Sequence, residues 1–415
     1  MNNTMLERFL RYVKIDTQSS ETAGDAYPST EKQKDLLSLL KKELEELGLK
    51  NVSMDQYGYV FGTLPANVPQ DQAAKIKTIG FLSHADTSPE VSGKNVKPQI
   101  HKNYQGGDIV LPGDTTQVIT AADNPHLADH MGHDIITSDG TTLLGADNKA
   151  GIAEIMAMLE YFISNPDEKH GDIRVGFTPD EEIGQGTKYF DVKKFGADFA
   201  YTVDGESPGE VEDETFNASL AEFEIKGVNV HPGYAKGKMI NSIRIIGEII
   251  HRINAYPSPE TTEKKEGFLH PYVLSGSIDE SHLKVLLRDF TTAGIDEKCV
   301  VLQSVRDDVQ KLYPQAEINL SVKEQYKNMK IKLDEEPKVI DFAVKAVEMA
   351  GIKPLRHSIR GGTDGAKLCF MGLPTPNIFT GGHNFHSRLE WVSTYDMEKA
   401  VEVLVNLVKL WAEDK

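Results

Sequence analysis

The chain has 415 residues, 39% of them hydrophobic and 26% charged, and its 63 acidic and 45 basic residues give a net charge of −18. This length exceeds what one ordinary hydrophobic core accommodates, so two domains are expected. The acidic balance disfavours nucleic acid and anionic membranes as partners. Two cysteines, Cys299 and Cys369, are too few for a disulfide framework. Because no apolar run has the length of a signal-peptide core or a bilayer span, we expect a cytoplasmic protein.

The first part of the chain predicts two helices. Apolar residues at helical spacing indicate a short amphipathic helix over residues 5–13. A second helix is predicted to start near Ser29 or Thr30, where Thr30 and Gln33 have the spacing of a capping box. Leucines continue at helical spacing to a glycine at position 48, which suits the residue after a helix end.

Two strands follow these helices. Extended apolar runs at 59–64 and 78–83 predict them, and the second run leads directly into His84 and Asp86. The next stretch, 87–138, is rich in Gly, Pro, Asp and His, apart from one short candidate strand near its start. We interpret this stretch as a long ordered insertion.

Three histidines within the insertion have helical spacing. His126, His130 and His133 fall at i, i+4 and i+7, which on a helix is one face, as in some zinc sites. No acidic partner completes a convincing motif, and Pro125 and Gly132 interrupt the segment. The sequence therefore favours a solvated surface loop here.

The motif Gly-Ala-Asp-Asn-Lys-Ala-Gly occupies residues 145–151, between an extended run at 141–144 and a predicted helix. The helix is indicated by apolar residues at helical spacing, namely Ile152, Ile155, Met156, Leu159, Phe162 and Ile163. Asp147 is thus placed where a strand leads into a helix, which in open α/β sheets is the ligand-binding edge. A carboxylate there can bind one metal ion or bridge two, and the alternative is that Asp147 only caps the helix.

Two further predicted strands end in acidic turns. Residues 173–177 form an apolar run that leads into Asp-Glu-Glu at 180–182, and the run 200–203 leads into Asp204. Strands that alternate with helices and carry acids at their ends indicate an α/β architecture.

The pattern changes at about residue 216. The predicted elements are strand 218–226, helix 241–254, strand 268–276, strand 282–288, helix 295–313 and strand 317–323. This β-α-β-β-α-β order is that of the ferredoxin-like unit. We therefore predict an inserted domain over 216–326 that divides the first domain into 1–215 and 327–415.

After the insert the first pattern resumes. A helix is predicted over 337–349, a glycine-rich turn over 360–365, a strand over 376–380 and a last helix from Thr394. The strand leads to His386, with a second histidine three residues before it.

The strand ends and motifs together supply five candidate metal ligands: His84, Asp147, Glu182, Asp204 and His386. Imidazoles with carboxylates suit zinc, cobalt or manganese. Five ligands are too many for one tetrahedral ion but suit two ions that share Asp147, one completed by His84 and Asp204 and the other by Glu182 and His386. Two such ions about 3.5–4 Å apart hold a hydroxide and polarise a carbonyl.

Two neighbours of the ligands have predicted roles. Asp86 is placed to accept the ring N–H of His84 and fix its tautomer. Glu181 lies beside a ligand without being needed as one, so it is the candidate general base that moves a proton from the water to the leaving amine. Each residue also has an ordinary interpretation, such as a helix-terminal acid or a turn residue. Five coincidences at one sheet edge favour the metal site.

The motifs at 83–87, 145–151 and 180–184, with His386, resemble the M20 family of co-catalytic zinc peptidases over nearly the whole chain. Within that family, the segments 231–239, 288–290 and 360–366 are similar to the tripeptide aminopeptidases. The resemblance implies an α/β catalytic domain with a mixed central sheet flanked by helices, plus a ferredoxin-like lid that faces the metals. It also implies that the five ligands bind two Zn²⁺ ions, with Glu181 as base and Asp86 orienting His84.

The resemblance extends to substrate contacts. It implies that His231 stabilises the oxyanion, and Asn241 is a weaker candidate whose alternative is an ordinary N-cap. It also implies a cis peptide after Asp147 and, of the two late histidines, favours His386 over His383 as the ligand. A cation is expected to bind the far carboxylate of a tripeptide, and Arg288 is the first candidate because guanidinium binds carboxylate bidentately.

Lys236 and Arg360 are weaker candidates for that cation, and an ion pair with Asp289 or a neighbour is the alternative for Arg288. Short peptides, with tripeptides first, are the expected substrates, and a homodimer is one candidate state. Dipeptidases, carboxypeptidases and acyl-amino-acid deacylases of the same family keep the chemistry and change the substrate. A peptide- or metal-binding protein without turnover ranks below these, because Glu181 is present.

Overall fold

The computed structural model describes the backbone of residues 2–414 and side chains from Thr4 onward. The chain divides into two compact units. The first comprises the chain up to Asp213, Lys332–His357 and the chain from Thr363 onward, and the second comprises Glu214–Ile331 and Ser358–Gly362.

Eleven helices are present among the described residues. They are α1 Asn2–Tyr12, α2 Gln33–Glu46, α3 Gln70–Ala73, α4 Ala146–Ser164, α5 Val192–Phe195, α6 Ser242–Ile253, α7 Thr292–Leu312, α8 Lys330–Leu333, α9 Pro337–Met349, α10 Asp364–Phe370 and α11 Thr394–Glu413. Short 3₁₀ helices form at Pro125–His130, Pro232–Tyr234 and Pro259–Thr261.

The strands of the described chain fall into four sheets. They are β1 Lys50–Met54, β2 Val60–Leu64, β3 Ile79–His84, β4 Gln99–His101, β5 Ile109–Val110, β6 Val118–Ile119, β7 Ile135–Thr137, β8 Ile173–Thr178, β9 Phe199–Gly205, β10 Glu210–Thr215, β11 Asn217–Lys226, β12 Phe268–Gly276, β13 Glu280–Asp289, β14 Glu317–Tyr326, β15 Leu355–Ile359, β16 Asn377–Phe379, β17 Gly382–His383 and β18 Trp391–Ser393.

The largest sheet is mixed, with the order β1-β2-β8-β3-β9-β16-β10-β15. Strand β3 pairs in parallel with β8 and β9, whereas β2 pairs antiparallel with β1 and β8, and β10 pairs antiparallel with β16. Every residue of β3 is buried, as expected for a central strand covered on both faces. Because β3, β8 and β9 run in the same direction, their carboxyl ends meet at one edge of the sheet.

Helix α4 is almost wholly buried and contacts β3, β9, α1 and α11. Gly151 lies in its first turns, where a Cβ would stand 2.2 Å from the carbonyl oxygen of Val203 on β9. Only glycine allows the helix to approach the strand this closely. The motif at 145–151 therefore serves packing as well as chemistry.

The insertion at 87–138 is more regular than the sequence indicated. Its strands β4 and β7 join β18 and β17 in a sheet of order β17-β18-β7-β4, and β5 pairs with β6. Leu111, Ile119, Leu127, Ile135 and Trp391 form a small buried core beneath it. The insertion thus supplies most of this core itself, and Trp391 on β18 adds a remote aromatic partner.

Two predicted boundaries were wrong. Helix α2 begins at Gln33, without a side-chain cap, rather than near Ser29 or Thr30. The hydroxyl of Thr30 instead donates to the carbonyl of Gln18 at 2.7 Å. The extended run predicted at 141–144 is not a strand, because β7 ends at Thr137 and a loop leads to α4.

The second unit contains an antiparallel sheet of order β12-β13-β11-β14, on which α6 and α7 pack. The chain order β11-α6-β12-β13-α7-β14 is the predicted ferredoxin-like order. Its core is formed by the apolar faces of these elements, including Phe223, Ile249, Val285 and Leu302. The predicted fold class, a mixed α/β sheet with a ferredoxin-like insert, is confirmed.

Candidate metal centre

Three parallel strands bring polar side chains to one sheet edge. His84 is the last residue of β3, Asp204 is near the end of β9, and the turn after β8 carries Glu181 and Glu182. The side chains of His84 and Glu182 are only 3% and 4% exposed. The edge therefore holds buried ionisable groups, which are costly unless each finds a partner.

Asp147 reaches the same edge from the start of α4 rather than from a strand end. Its backbone is not helical, and the peptide bond to Asn148 is cis, as the family resemblance implied. The carboxylate of Glu390 accepts backbone N–H groups of Leu144 and Gly145 at 2.7 Å each and of Asp147 at 3.0 Å. Glu390 thereby fixes the backbone from which Asp147 projects.

The two oxygens of Asp147 face two different histidines. Oδ1 lies 2.9 Å from Nε2 of His84, which is also 3.3 Å from Oδ1 of Asp204. Oδ2 lies 3.2 Å from Nε2 of His386, which is 2.8 Å from Oε2 of Glu182. The structure thus brings all five predicted ligands together, in two groups that share Asp147.

The role of Asp86 differs in part from the expectation. Nδ1 of His84 lies 3.0 Å from the backbone carbonyl oxygen of Asp86 and 3.5 Å from its carboxylate. The carboxylate instead accepts the backbone N–H groups of Glu181 at 3.0 Å and Glu182 at 3.2 Å. Asp86 therefore orients His84 mainly through its backbone and holds the acidic turn through its side chain.

The acidic side chains of the centre stabilise the protonated forms of its two histidines. Burial alone would lower the pKa of His84, but Asp204 and Asp147 outweigh it and raise the pKa well above its usual value. Hydrogen bonds that its ring donates to Asp147 and Glu182 raise the pKa of His386 to about 11. Burial raises the pKa of Glu182 to about 8, and the Asp147 carboxylate adds to the rise.

The donor set fits divalent metal ions. Each oxygen of Asp147 faces one imidazole, and each imidazole contacts one further carboxylate; these are the ligand types of zinc, cobalt and manganese. His84, Asp147 and Glu182 each offer a donor atom within 4.8 Å of the others. The buried Oε1 of Glu182 has no hydrogen-bond partner, and an ion would satisfy it.

A model of the peptidase family M20/M25/M40 matches residues 139–410 of the chain. The chain belongs to this peptidase family. It is 50% identical to peptidase T of Clostridium acetobutylicum over 409 aligned residues, and the alignment covers 99% of each chain. The structure is similar to a tripeptidase from Staphylococcus aureus (TM-score 0.76, 22% identity, 99% of each chain) and to a dinuclear metal-binding M20 peptidase from Bacillus subtilis (TM-score 0.66, 13% identity, 100% and 99%).

Several supporting residues of this M20 peptidase were not predicted from the sequence. Asp364, in the first turn of α10, is the strongest charged neighbour of Glu181: burial first, and Asp364 next, raise the pKa of Glu181 well above its usual value. Burial likewise raises the pKa of Asp364 to about 7. The sequence indicated the segment that contains Asp364 as a glycine-rich turn and as part of the family resemblance, but it gave Asp364 no role, since nothing local indicates its distance from Glu181.

Asp180 holds the acidic turn from the other side. Its carboxylate accepts the N–H of Ser29 at 2.6 Å and the side-chain amide of Gln33 at 2.7 Å. Asp180 and His386 both have left-handed backbones, with φ of 58° and 59°. Such conformations cost a residue with a side chain about 1–2 kcal/mol and concentrate at functional sites.

Two predicted substrate residues of the M20 peptidase begin helices in the second unit. His231 is exposed and precedes the 3₁₀ helix Pro232–Tyr234, with Nδ1 accepting the N–H of Gly233 at 3.1 Å. Asn241 caps α6, because its Oδ1 accepts the N–H of Ile243 at 3.0 Å. The structure therefore contains the N-cap that was the alternative interpretation of Asn241.

The two predicted substrate arginines have different surroundings. Nη1 of Arg288 donates to the carbonyl oxygen of Leu287 at 3.0 Å, whereas Asp289 pairs with Lys298 at 2.6 Å. Arg360 donates to three residues of one loop, the carbonyl oxygens of residues 264 and 266 and the hydroxyl of Thr262. Arg360 thus holds the 262–266 loop. Within the described part of the chain, Asp289 pairs with Lys298 rather than with Arg288, so the structure does not contain the Arg288–Asp289 pair that was one alternative.

The prediction that the three histidines of the insertion lie on a solvated loop was wrong for His130. That side chain is buried and lies 3.0 Å from the carboxylate of Asp396. His383, the rival ligand, is also buried and lies near His130 and Asp396, not with Asp147.

Among residues 2–414, no helix of this M20 peptidase combines the length and apolar character needed to cross a bilayer.

Proposed function

We propose that this M20 peptidase is a metal-dependent aminopeptidase that releases the N-terminal residue of tripeptides. The observation that carries the proposal is the shared carboxylate of Asp147, each oxygen of which faces one histidine that also contacts a second acid. The tripeptide preference is supported by the 50% identity to peptidase T over nearly the whole of both chains.

Two Zn²⁺ ions are the proposed cofactors, with Co²⁺ or Mn²⁺ able to substitute. His84, Asp204 and Oδ1 of Asp147 would hold one, and His386, Glu182 and Oδ2 of Asp147 the other. When bound, such a pair lowers the pKa of water and polarises the scissile carbonyl.

Glu181 is the proposed general base and acid. Its backbone N–H donates to the carboxylate of Asp86 at 3.0 Å, and the carboxylate of the next residue, Glu182, contacts His386. A carboxylate so placed accepts a proton from the attacking water and delivers it to the leaving amine. Asp86 and Asp180 act as positioning residues, because they fix the two ends of the turn that carries Glu181.

The test is a hydrolysis panel of di-, tri- and tetrapeptides, each with a free and an acetylated N-terminus, with and without a chelator. We expect cleavage of free tripeptides to exceed that of every other substrate and to stop in the chelator. Equal cleavage of acetylated tripeptides would show a deacylase or carboxypeptidase instead. Activity that survives complete metal removal would exclude the metal-dependent mechanism.

The matched variants are Glu181→Gln and Glu7→Gln, the second an exposed acid on α1. We expect Glu181→Gln to retain both metal ions and to lose about 10²–10⁴-fold in kcat, the usual contribution of a general base. Glu7→Gln should match the wild type in both respects. A Glu181→Gln enzyme with unchanged kcat would refute the assignment of the base.

Both cysteines of the chain are free, which fits the expected cytoplasm because reducing compartments keep thiols unpaired. Size-exclusion chromatography with light scattering tests the predicted homodimer. A monomeric mass at assay concentration would exclude the homodimer.

A further inference from the structure

A second group of histidines lies outside the metal centre. His130 ends the 3₁₀ helix Pro125–His130, His383 ends β17, and Asp396 lies in the first turn of α11. Their side chains are buried, with only 4%, 5% and 1% of the residue exposed. None of the three belongs to the five predicted ligands. Three segments that are distant in the sequence thus bring two imidazoles and a carboxylate into one buried space.

The donor atoms of this group are close but not satisfied by one another. One ligand atom from each residue lies within 4.8 Å of the other two. Nε2 of His130 is 3.0 Å from Oδ2 of Asp396, yet Oδ2 has no aligned hydrogen bond, and Nε2 of His383 has no hydrogen-bond partner. A buried polar atom without a partner costs about 1–3 kcal/mol. A bound cation that accepts a lone pair from each of the three side chains would remove this cost.

The rings are held in place by their neighbours. The indole of Trp391 stacks on His383 at 4.1 Å between ring centroids and meets the edge of His130 at 5.5 Å. Nδ1 of His130 faces Nδ1 of His133 at 3.4 Å, which leaves Nε2 toward Asp396. An outer hydrogen bond of this kind fixes the tautomer and aim of a metal-binding imidazole.

A further buried acid lies near the three residues. Glu154 on α4 is fully buried, and neither of its carboxylate oxygens has a hydrogen-bond partner. Burial and the nearby Asp396 raise the pKa of Glu154 well above its usual value. A cation held by Asp396 would therefore also lie near the buried carboxyl of Glu154.

We propose that His130, His383 and Asp396 bind a third divalent ion of the zinc type, separate from the pair at Asp147. Two imidazoles and one carboxylate form a common zinc ligand set, with water or a nearby histidine such as His126 to complete four ligands. The ion would join the 3₁₀ helix, β17 and α11 into one structure. The proposed role is structural: the ion would fix the end of β17, and His386, a proposed ligand of the other centre, follows three residues later.

The test counts metal ions in the full-length protein. Metal-free protein is dialysed against Zn²⁺, and the bound metal is measured by mass spectrometry. We expect about three equivalents for the wild type and about two for His130→Gln and His383→Gln. Asp147→Asn should still bind the ion at His130. The control is His170→Gln, a buried histidine whose Nδ1 contacts the carbonyl of Gly171 at 2.8 Å and which should retain three equivalents.

Anomalous diffraction at the zinc edge provides the second measurement and needs no variant. A peak between His130, His383 and Asp396 in wild-type crystals grown with Zn²⁺ supports the proposal. Crystals with peaks at Asp147 and none at His130 would overturn it. Equal zinc content in His383→Gln and wild type would overturn it as well. Loss of the ion at His130 should also lower the Tm without changing the number of ions at Asp147.

Discussion

Replacing Glu390 by glutamine tests whether a carboxylate distant in the sequence holds the backbone of Asp147 in place. Oε2 of Glu390 accepts two backbone N–H groups at 2.7 Å, and Oε1 accepts the N–H of Asp147 at 3.0 Å. An amide offers one acceptor and places an N–H₂ group at the other position. The N–H of Asp147 then loses its acceptor, and the two remaining hydrogen bonds lose their charge.

The expected loss follows from these three bonds. A buried N–H without a partner costs about 1–3 kcal/mol, and each bond that changes from a charged to a neutral acceptor loses about 1 kcal/mol. Burial raises the pKa of Glu390 to about 7, so part of this loss is offset by the easier burial of an amide. We expect Glu390→Gln to reduce the free energy of unfolding by about 2–4 kcal/mol at pH 8.

The assay is urea denaturation of chelator-treated protein at pH 8, followed by metal analysis of the untreated protein. Glu154→Gln is the matched control, because Glu154 is equally buried and its oxygens accept no hydrogen bond. That variant should change stability by less than about 1 kcal/mol. Glu390→Gln should also bind less metal. Equal unfolding free energies for the two variants would refute the reasoning.

Three other predictions concern Asp86, Arg288 and Glu212. Asp86→Asn should lower kcat about 10–100-fold with little change in KM, because it removes one of two acceptors from the turn of Glu181; unchanged kcat would contradict it. Arg288→Ala should raise the KM for tripeptides about 10-fold and spare the metals, and an unchanged KM removes Arg288 from the substrate site. Burial, then Glu210, raises the pKa of Glu212 to about 8, so its stabilising contribution is complete below pH 4.5 and is lost as the pH rises through 8. Glu212→Gln should therefore gain stability relative to wild type over that range in pH-dependent denaturation, and parallel curves would contradict this.

The proposed ligands that end strands could be placed from the sequence because their positions follow from local pattern. An apolar run predicts a strand, parallel strands end at one edge, and the residue after each run is read directly from the sequence. His84 and Asp204 are of this kind. The order of elements in the insert was predictable for the same reason, since each helix and strand has its own periodicity.

The supporting residues could not be predicted in this way. Glu390 is 243 residues from the N–H of Asp147 that it accepts, and no local pattern records that distance. Ser29 and Thr30 have the composition of a helix cap, but their side chains are engaged with Asp180 and Gln18 instead. Tertiary contacts of this kind override local propensity.

His130 shows the same limit. Proline and glycine near it favour a loop, and that part of the prediction was correct in placing no α-helix there. The buried partner, Asp396, lies in the last helix of the chain. A surface assignment from composition fails when a remote helix covers the segment.

The order of the ligands along the chain has a consequence for synthesis on the ribosome. His84, Asp147, Glu182 and Asp204 precede the second unit, whereas His386 and Glu390 follow it. Because domains fold as they emerge, the nascent polypeptide carries an incomplete proposed centre until the segment that follows the second unit, with His386 and Glu390, has been translated. If these residues form the centre, hydrolytic capacity arises only after the second unit has been translated, when the elements before it have had time to form.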